Sequence, residues 1–320
     1  MLKNEMTDSV NAAKTNRHFG RIQQGIALSV GSQMLWGIAG NFGQFLFTKL
    51  NVSPTWMVVF RLLMGGIILL SFAFVTEGHQ RVMAIWHHPK DVIVLVLFSV
   101  FAMLGIQLTY FMTISYSNAA TATVLQFTAP VIVITFLALR YRQWPSRIDT
   151  ITVIVAVIGT FLLITNGNPR TLDVSLLALV WGIMTAGSDA VYILLPNHIL
   201  KQYGPVPVVA WSFLIGGLAL NFFKPVWHDV PKFSWSLFWI MAFMVILGTV
   251  FAYLMELQSI PLISAQLVAI LQAVEPITAT LVAVLFMGTR FTVIAGIGIV
   301  LVIATVFIQA VPKNKMTTKD

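Results

Sequence analysis

Apolar runs of about 20 residues, separated by short polar breaks, follow one another along nearly the whole chain. A helix of that length matches the thickness of the hydrocarbon core of a bilayer. The pattern predicts ten membrane-spanning helices, with no interval long enough for a folded domain outside the membrane. The predicted spans are 22–48, 54–76, 91–115, 118–139, 147–166, 173–199, 205–223, 236–258, 263–287 and 291–311.

The composition supports a membrane protein. Of 320 residues, 58% are hydrophobic and 9% are charged, which is more apolar surface than a soluble protein of this size can bury. There is no cysteine, so disulfides, thiolate catalysis and cysteine-ligated metals are excluded, and we expect neither a metal nor a cofactor. The net charge of +8 comes from basic residues in loops and tails. These are typical of membrane topology signals, so nucleic acid is not an expected partner.

Loop charges predict the orientation. Ten spans put both termini on one side, and a cytoplasmic N-terminus would place 13 Lys and Arg residues inside, 5 outside and Arg61 within a span. This excess on the inside predicts a multi-pass protein of the cytoplasmic membrane. Its expected cytoplasmic tails are residues 1–21 and 312–320.

Two segments, at an offset of 146 residues, carry the same pattern: 119–130 and 265–276. Gln126 and Pro130 in the first copy recur as Gln272 and Pro276 in the second. Proline has no backbone N–H to donate, so each proline is expected to kink its helix beside a repeated glutamine.

The duplication extends over the whole chain, because Trp36 and Tyr110 recur as Trp181 and Tyr253. The two copies are predicted as 22–166 and 173–311, each with five spans. An odd number of spans makes the second copy cross the membrane in the opposite sense. The sequence therefore predicts an all-α protein of two inverted five-helix repeats, with a substrate site near mid-depth between them.

The copies differ in their charges. Glu275 stands where the first copy has Ala129, and Arg61 stands where the second copy has Ser212. A charge within the bilayer needs a partner, a wet cavity or protonation. Two interpretations stay open for Glu275: a carboxylate that contacts substrate or carries a coupling proton, and a structural ion pair with Arg61. For Arg61 we favour the ion pair, with recognition of a substrate carboxylate as the alternative.

Other polar and aromatic residues within the spans are candidates for the lining of a cavity. Asp189 is favoured for this role because a lone carboxylate is an expensive way to hold helices together. Glu256 is expected to extend to the cytoplasmic surface. For the polar and aromatic stripe formed by Trp36, Asn41 and Gln44 on the first span, the alternative is helix–helix hydrogen bonding. The remaining candidates are Trp36, Asn41, Gln44, Gln107, Tyr110, Gln126, Trp181, Tyr253 and Gln272.

In these features the chain resembles the ten-helix EamA family of the drug/metabolite transporter superfamily. The resemblance covers nearly the whole chain and rests on the five-plus-five duplication, the Trp-Gly pairs at Trp36 and Trp181, Arg61, and Glu275-Pro276. One departure is that Arg140-Tyr141 and Gly288-Thr289 stand where family members often carry Gly-Glu. The resemblance implies that helices 1–4 and 6–9 line a cavity while helices 5 and 10 brace the outside.

The resemblance also implies transport of small metabolites without ATP hydrolysis, most often export of amino acids or related compounds. The expected mechanism is alternating access, and the expected partners are a small-molecule substrate and the lipid bilayer. Uptake of a sugar or nucleoside is the alternative within this class; a non-transporting receptor or lipid-handling protein is the alternative outside it. No enzyme motif is present, so catalysis is not expected. The oligomeric state stays open, with a monomer as one alternative.

Overall fold

The computed structural model describes residues 2–142, 144–168, 174–263 and 265–309. Throughout these residues the regular structure is helical. The α-helices are α1 (Leu2–Lys49), α2 (Pro54–Glu77), α3 (His79–Met83), α4 (Pro89–Leu97), α5 (Gly105–Tyr116), α6 (Ala119–Gln126), α7 (Ala129–Tyr141), α8 (Arg147–Thr165), α9 (Leu176–Leu194), α10 (Asn197–Tyr203), α11 (Pro205–Phe223), α12 (Trp235–Val245), α13 (Ala252–Ser259), α14 (Ala265–Gln272), α15 (Val274–Phe286) and α16 (Val293–Gln309). A 3-10 turn, Ala84–His87, precedes α4, and π turns at Phe98–Leu104 and Ile246–Phe251 join α4 to α5 and α12 to α13.

Seven helices in the described part of the chain are long and apolar enough to cross a membrane. They are Pro54–Glu77, Pro89–Tyr116, Ala119–Tyr141, Arg147–Thr165, Leu176–Leu194, Pro205–Phe223 and Trp235–Ser259. Large apolar side chains such as Leu139, Phe222 and Val293 are exposed on the outside of the bundle, which suits contact with lipid rather than water. The prediction of an all-helical, multi-pass membrane protein is confirmed.

Two predicted boundaries need correction. The prediction of a span over 173–199 is wrong at its end, because α9 ends at Leu194 and a separate helix, α10, begins at Asn197. Pro196 lies between them, and a proline has no backbone N–H with which to continue the hydrogen bonds of α9. The first helix is longer than expected and begins at Leu2, within the predicted polar tail.

Local sequence explains where many helices begin and end. Ser146 accepts a hydrogen bond from the backbone of Asp149, and the Asp149 carboxylate accepts one from the backbone of Ser146, which forms a capping box at α8. The side chain of Asn118 caps α6 in the same general way. Proline occupies the first turn of α2 and α11, where a missing N–H costs nothing.

The two copies of the repeated motif are both broken helices. The first is interrupted between α6 and α7, and the second at Ala273 between α14 and α15. Pro130 and Pro276 lie in the first turn of the helix that follows each break. Broken helices expose backbone groups and are tolerated within a membrane where they line a cavity.

Glycine pairs let α2 and α11 pack with their backbones close together. A Cβ atom on Gly66 would lie 2.7 Å from the backbone nitrogen of Leu214, and one on Gly217 would lie 3.0 Å from that of Leu63. Such contacts leave no space for a side chain, so the glycines set the distance between the helices. We call this contact the α2–α11 seam. It joins the matching second spans of the two copies.

A second close pair lies away from this seam. Helices α8 and α16 meet at Gly159 and Gly298, and a Cβ atom on Gly159 would lie 2.8 Å from the carbonyl oxygen of Gly298. These are the last predicted spans of each copy.

Hydrogen bonds join the two copies near both ends of the bundle. At one end the indole N–H of Trp56 donates to the carbonyl of Val226 at 2.8 Å, and at the other the indole N–H of Trp211 donates to that of Val82 at 3.0 Å. Beside the second contact, the Tyr203 hydroxyl donates to Asp91 at 2.6 Å. Burial, together with this hydrogen bond to Asp91, raises the pKa of Tyr203 to about 12.

Candidate functional site

A cavity of about 350 Å³ opens between the helices of both copies. Side chains from α1, α2, α5, α6, α7, α9, α13, α14 and α15 line it, and neither α8 nor α16 contributes to its lining. The volume is that of a typical pocket for a small metabolite. The predicted site residues that surround it are Trp36, Arg61, Gln107, Tyr110, Gln126, Pro130, Asp189, Tyr253, Gln272 and Glu275.

Arg61 is held in place by neutral groups. Its Nε donates to the Thr249 hydroxyl at 2.5 Å, Nη1 to the Gln107 side-chain oxygen at 3.1 Å, and Nη2 to the Gly248 carbonyl at 2.7 Å. The guanidinium also lies over the ring of Phe111, 5.3 Å from its centroid, where a cation is attracted by the π system. The side chain is 3% exposed, and it borders the cavity.

The π turn provides one of these acceptors. In an α-helix the N–H of Ala252 would donate to the Gly248 carbonyl, but here it is directed to the carbonyls of Leu247 and Thr249. The usual helical donor of the Gly248 carbonyl is therefore redirected, and Arg61 donates to that oxygen instead. π turns of this kind are frequent at functional sites.

The expected ion pair between Arg61 and Glu275 is absent. Within the described residues the salt bridges are Arg81–Glu77 and His198–Asp91, both outside the cavity. An arginine has five N–H donors in a fixed fork, and Arg61 uses three of them on neutral acceptors. Two donors are therefore left for a ligand in the cavity.

Glu275 and Asp189 border the same cavity from α15 and α9. Glu275 is 9% exposed and lies in the first turn of α15, where the helix dipole favours a negative charge. Asp189 is half-buried, and neither carboxylate forms a salt bridge in the part of the chain that the structure covers. Both are thus available to a cation or a proton.

Aromatic groups and an amide complete the wall. Trp36 packs edge-on against Tyr253, with ring centroids 5.0 Å apart. The Tyr110 hydroxyl is hydrogen-bonded to Thr123 at 2.8 Å, and Gln107 is engaged by Arg61. The indole N–H of Trp36 is buried and has no hydrogen-bond partner among the described residues.

Three predicted lining residues lie elsewhere. Asn41 donates to the carbonyls of Gly37 and Ala279 at 2.9 and 3.0 Å, which joins α1 to α15. Gln44 accepts from the backbone N–H of Ala119 at 2.9 Å, at the start of α6. These two form helix–helix hydrogen bonds and are not part of the cavity lining. Trp181 is half-buried and is not part of the lining, and Pro276 is buried beside Glu275.

The expectation that Glu256 extends to the membrane surface is wrong. Its Oε2 accepts hydrogen bonds from the hydroxyls of Ser32 at 2.7 Å and Ser29 at 3.2 Å, and the residue borders the cavity. Gln33 lies beside it and is 1% exposed. We call these four residues the Glu256 cluster. A polar periodicity of three and four residues along α1, from Ser29 through Trp36, is the signal in the sequence that could have indicated it.

The fold defines a multi-pass membrane protein, with a cavity between its helices that several ionisable side chains border. Comparison with known families is consistent with this class. The family model described as "EamA-like transporter family" matches the chain twice, over residues 23–165 and 176–310.

Proteins with a similar sequence are known in bacteria. The chain is 35% identical to the uncharacterized inner membrane transporter YicL of Salmonella typhimurium, covering 92% of this chain and 98% of that protein. It is 24% identical to the threonine/homoserine exporter RhtA of Escherichia coli K12, over 62% of this chain and 65% of that protein. A crystal structure with 15% identity matches with a TM-score of 0.58, covering 89% of this chain and 96% of that one.

The chain belongs to the EamA-like transporter family, and it is a membrane transporter.

Proposed function

We propose that this transporter exports amino acids or closely related metabolites across the cytoplasmic membrane. The observation that carries the proposal is the arrangement of charge in the cavity. One space is bordered by a guanidinium, Arg61, and by two carboxylates, Glu275 and Asp189, and none of the three forms a salt bridge within the described residues. An amino acid carries a carboxylate and an ammonium group, and it satisfies both kinds of site at once.

In this proposal the chain has ten spans in two inverted repeats with both termini in the cytoplasm. The double match of the family model supports the duplication, and the α2–α11 seam supports a packing axis between the copies. The positive-inside bias of the loops supports the orientation. Transport then follows from rocking of the two copies about the cavity, which opens to one side at a time.

The direction of transport is proposed from the relatives. RhtA, which is 24% identical to this chain over 62% of its length, is named as a threonine/homoserine exporter. For this chain, amino-acid export is the function that best combines that likeness with the zwitterion-compatible cavity.

The test is a counterflow assay on purified protein in liposomes, with a panel of radiolabelled amino acids, sugars and nucleosides. We expect accelerated exchange of at least one amino acid, and no exchange of the sugars or nucleosides. Exchange confined to a sugar or nucleoside would contradict the proposal. Expulsion from preloaded cells that express the protein, compared with cells that lack it, tests the direction.

The variant Glu275→Gln tests whether transport uses the cavity. Glu275→Gln keeps the shape of the side chain and removes its charge and its proton, so we expect a folded protein with altered flux or altered pH dependence of flux. Glu77→Gln is the matched control, because Glu77 pairs with Arg81 at 3.1 Å away from the cavity. Unchanged flux of Glu275→Gln across pH 5 to 9 (about the range of stable liposomes) would show that Glu275 takes no part.

A further inference from the structure

The ionisable groups around the cavity are unequal in number. Asp189, Glu256 and Glu275 contribute carboxylates, and Arg61 contributes the one cationic group of the lining as the structure describes it. A single zwitterion brings one positive and one negative group, so it would leave carboxylates without a partner. Buried charges are paired in folded proteins, and an excess of one sign favours a ligand of the opposite sign.

The Glu256 cluster offers several hydrogen-bonding groups to a polar ligand. The hydroxyls of Ser29 and Ser32 both donate to Glu256, and each keeps lone pairs that can accept from an N–H. The Gln33 amide is buried beside the Glu256 carboxylate, to which its nitrogen can donate, and its side-chain oxygen has no hydrogen-bond partner in the described residues. A buried oxygen without a partner costs free energy, unless a ligand or water donates to it.

The cluster belongs to one copy of the repeat only. At the matching positions the other copy has Val174, Leu177 and Ala178 in place of Ser29, Ser32 and Gln33, and Thr113 in place of Glu256. The cavity therefore has a carboxylate at the Glu256 cluster that the other copy lacks. A feature kept only from the duplication would occur in both copies.

We propose that the cavity selects a substrate with a net positive charge, a basic amino acid or a related amine, whose distal cationic group binds the Glu256 cluster. This inference rests on the proposed function and specifies the substrate class of the same cavity. Arg61 binds the carboxylate of the substrate, Glu275 and Asp189 face its α-ammonium, and Glu256 accepts hydrogen bonds from the distal ammonium or guanidinium. Gln33 supplies a further acceptor through its side-chain oxygen.

The distance between Arg61 and the Glu256 cluster suits such a ligand. Arg61 is fixed to Thr249, which lies seven residues before Glu256 along the same helix. At the rise of a helix this corresponds to about 10 Å. An extended diamino acid, with a hydrogen bond of about 3 Å at each end, is long enough to bridge this distance. A neutral amino acid with a short side chain cannot reach both ends.

Counterflow in liposomes with L-lysine, L-threonine and L-glutamate as probes tests the inference. For the wild-type protein we expect exchange of lysine at lower concentration than threonine, and little exchange of glutamate. Glu256→Gln keeps an acceptor for Ser29 and Ser32 and removes the charge, so the apparent affinity for lysine should fall by at least about tenfold. The apparent affinity for threonine should remain within about twofold of the wild type.

Binding measured in detergent keeps the test independent of transport. Lysine should raise the unfolding temperature of the wild type and of the control Glu77→Gln, and it should raise that of Glu256→Gln much less. Exchange of threonine in preference to lysine, or an equal loss of both in Glu256→Gln, would overturn the inference and leave amino-acid transport intact. Exchange of none of the probes would overturn the inference, and the failure of every amino acid in the wider panel would overturn the proposed function as well.

Discussion

Replacing Glu275 by glutamine tests whether Glu275 forms a buried ion pair with Arg61 or borders the cavity without a basic partner. If Glu275 formed a buried ion pair with Arg61, then removal of one partner would leave an uncompensated charge and cost about 3–5 kcal/mol of unfolding free energy. The structure instead gives Arg61 three neutral acceptors, and among the described residues Glu275 has no basic partner. Glu275→Gln should therefore be neutral or stabilising, because it removes a buried charge.

The same logic predicts which substitution does destabilise the Arg61 site. Thr249→Val keeps the β-branched shape and removes the oxygen that accepts from Arg61 at 2.5 Å. A hydrogen bond to a charged group contributes about 1.5–3 kcal/mol, and Thr249→Val should lower the unfolding free energy by that amount. Both variants are measured by thermal and denaturant unfolding of the purified protein in detergent micelles. A cost above about 2 kcal/mol for Glu275→Gln, together with rescue by Arg61→Gln, would refute this assignment of partners.

Three further predictions concern the packing and the end contacts. Gly66→Ala should destabilise the protein by about 1–3 kcal/mol in the same unfolding assay, since its Cβ would meet backbone atoms of α11; Gly187→Ala, with open space around it, is the control, and equal stability of the two would contradict the close seam. Asn41→Leu should cost about 0.6–1.7 kcal/mol without changing apparent substrate affinity, and a large change in affinity would contradict its purely structural role. The stabilisation associated with Tyr203 should be complete below pH 10 and decline as the pH rises toward 12, because the pKa of Tyr203 is higher in the folded than in the unfolded protein. The unfolding free energy of Tyr203→Phe should lack this decline. An identical decline in the variant would show that another group causes it.

Periodicity alone predicted the helical membrane fold, because a bilayer leaves the chain few alternatives. Every backbone donor and acceptor in hydrocarbon must be satisfied within the protein, so long apolar runs become helices. What periodicity could not predict was the direction in which each polar side chain points. Gln44 and Trp36 are polar or aromatic groups of one helix, yet Gln44 caps α6 and Trp36 borders the cavity. Their roles depend on which helix lies beside each, and that is set by packing rather than by local sequence.

The partner of Arg61 illustrates the same limit more sharply. The sequence shows a cation, Arg61, and an anion, Glu275, within the spans of opposite copies. Opposite charges in a membrane suggest an ion pair, and the sequence does not show which neutral groups lie beside each of them. The actual partners are a carbonyl, a hydroxyl and an amide, and the carbonyl lacks its usual helical donor because a π turn redirects the N–H of Ala252. No residue pattern around Gly248 distinguishes a π turn from an α-helix. The π turn thus gives Arg61 one of its three neutral partners, and neither Glu275 nor Asp189 forms a salt bridge within the described residues.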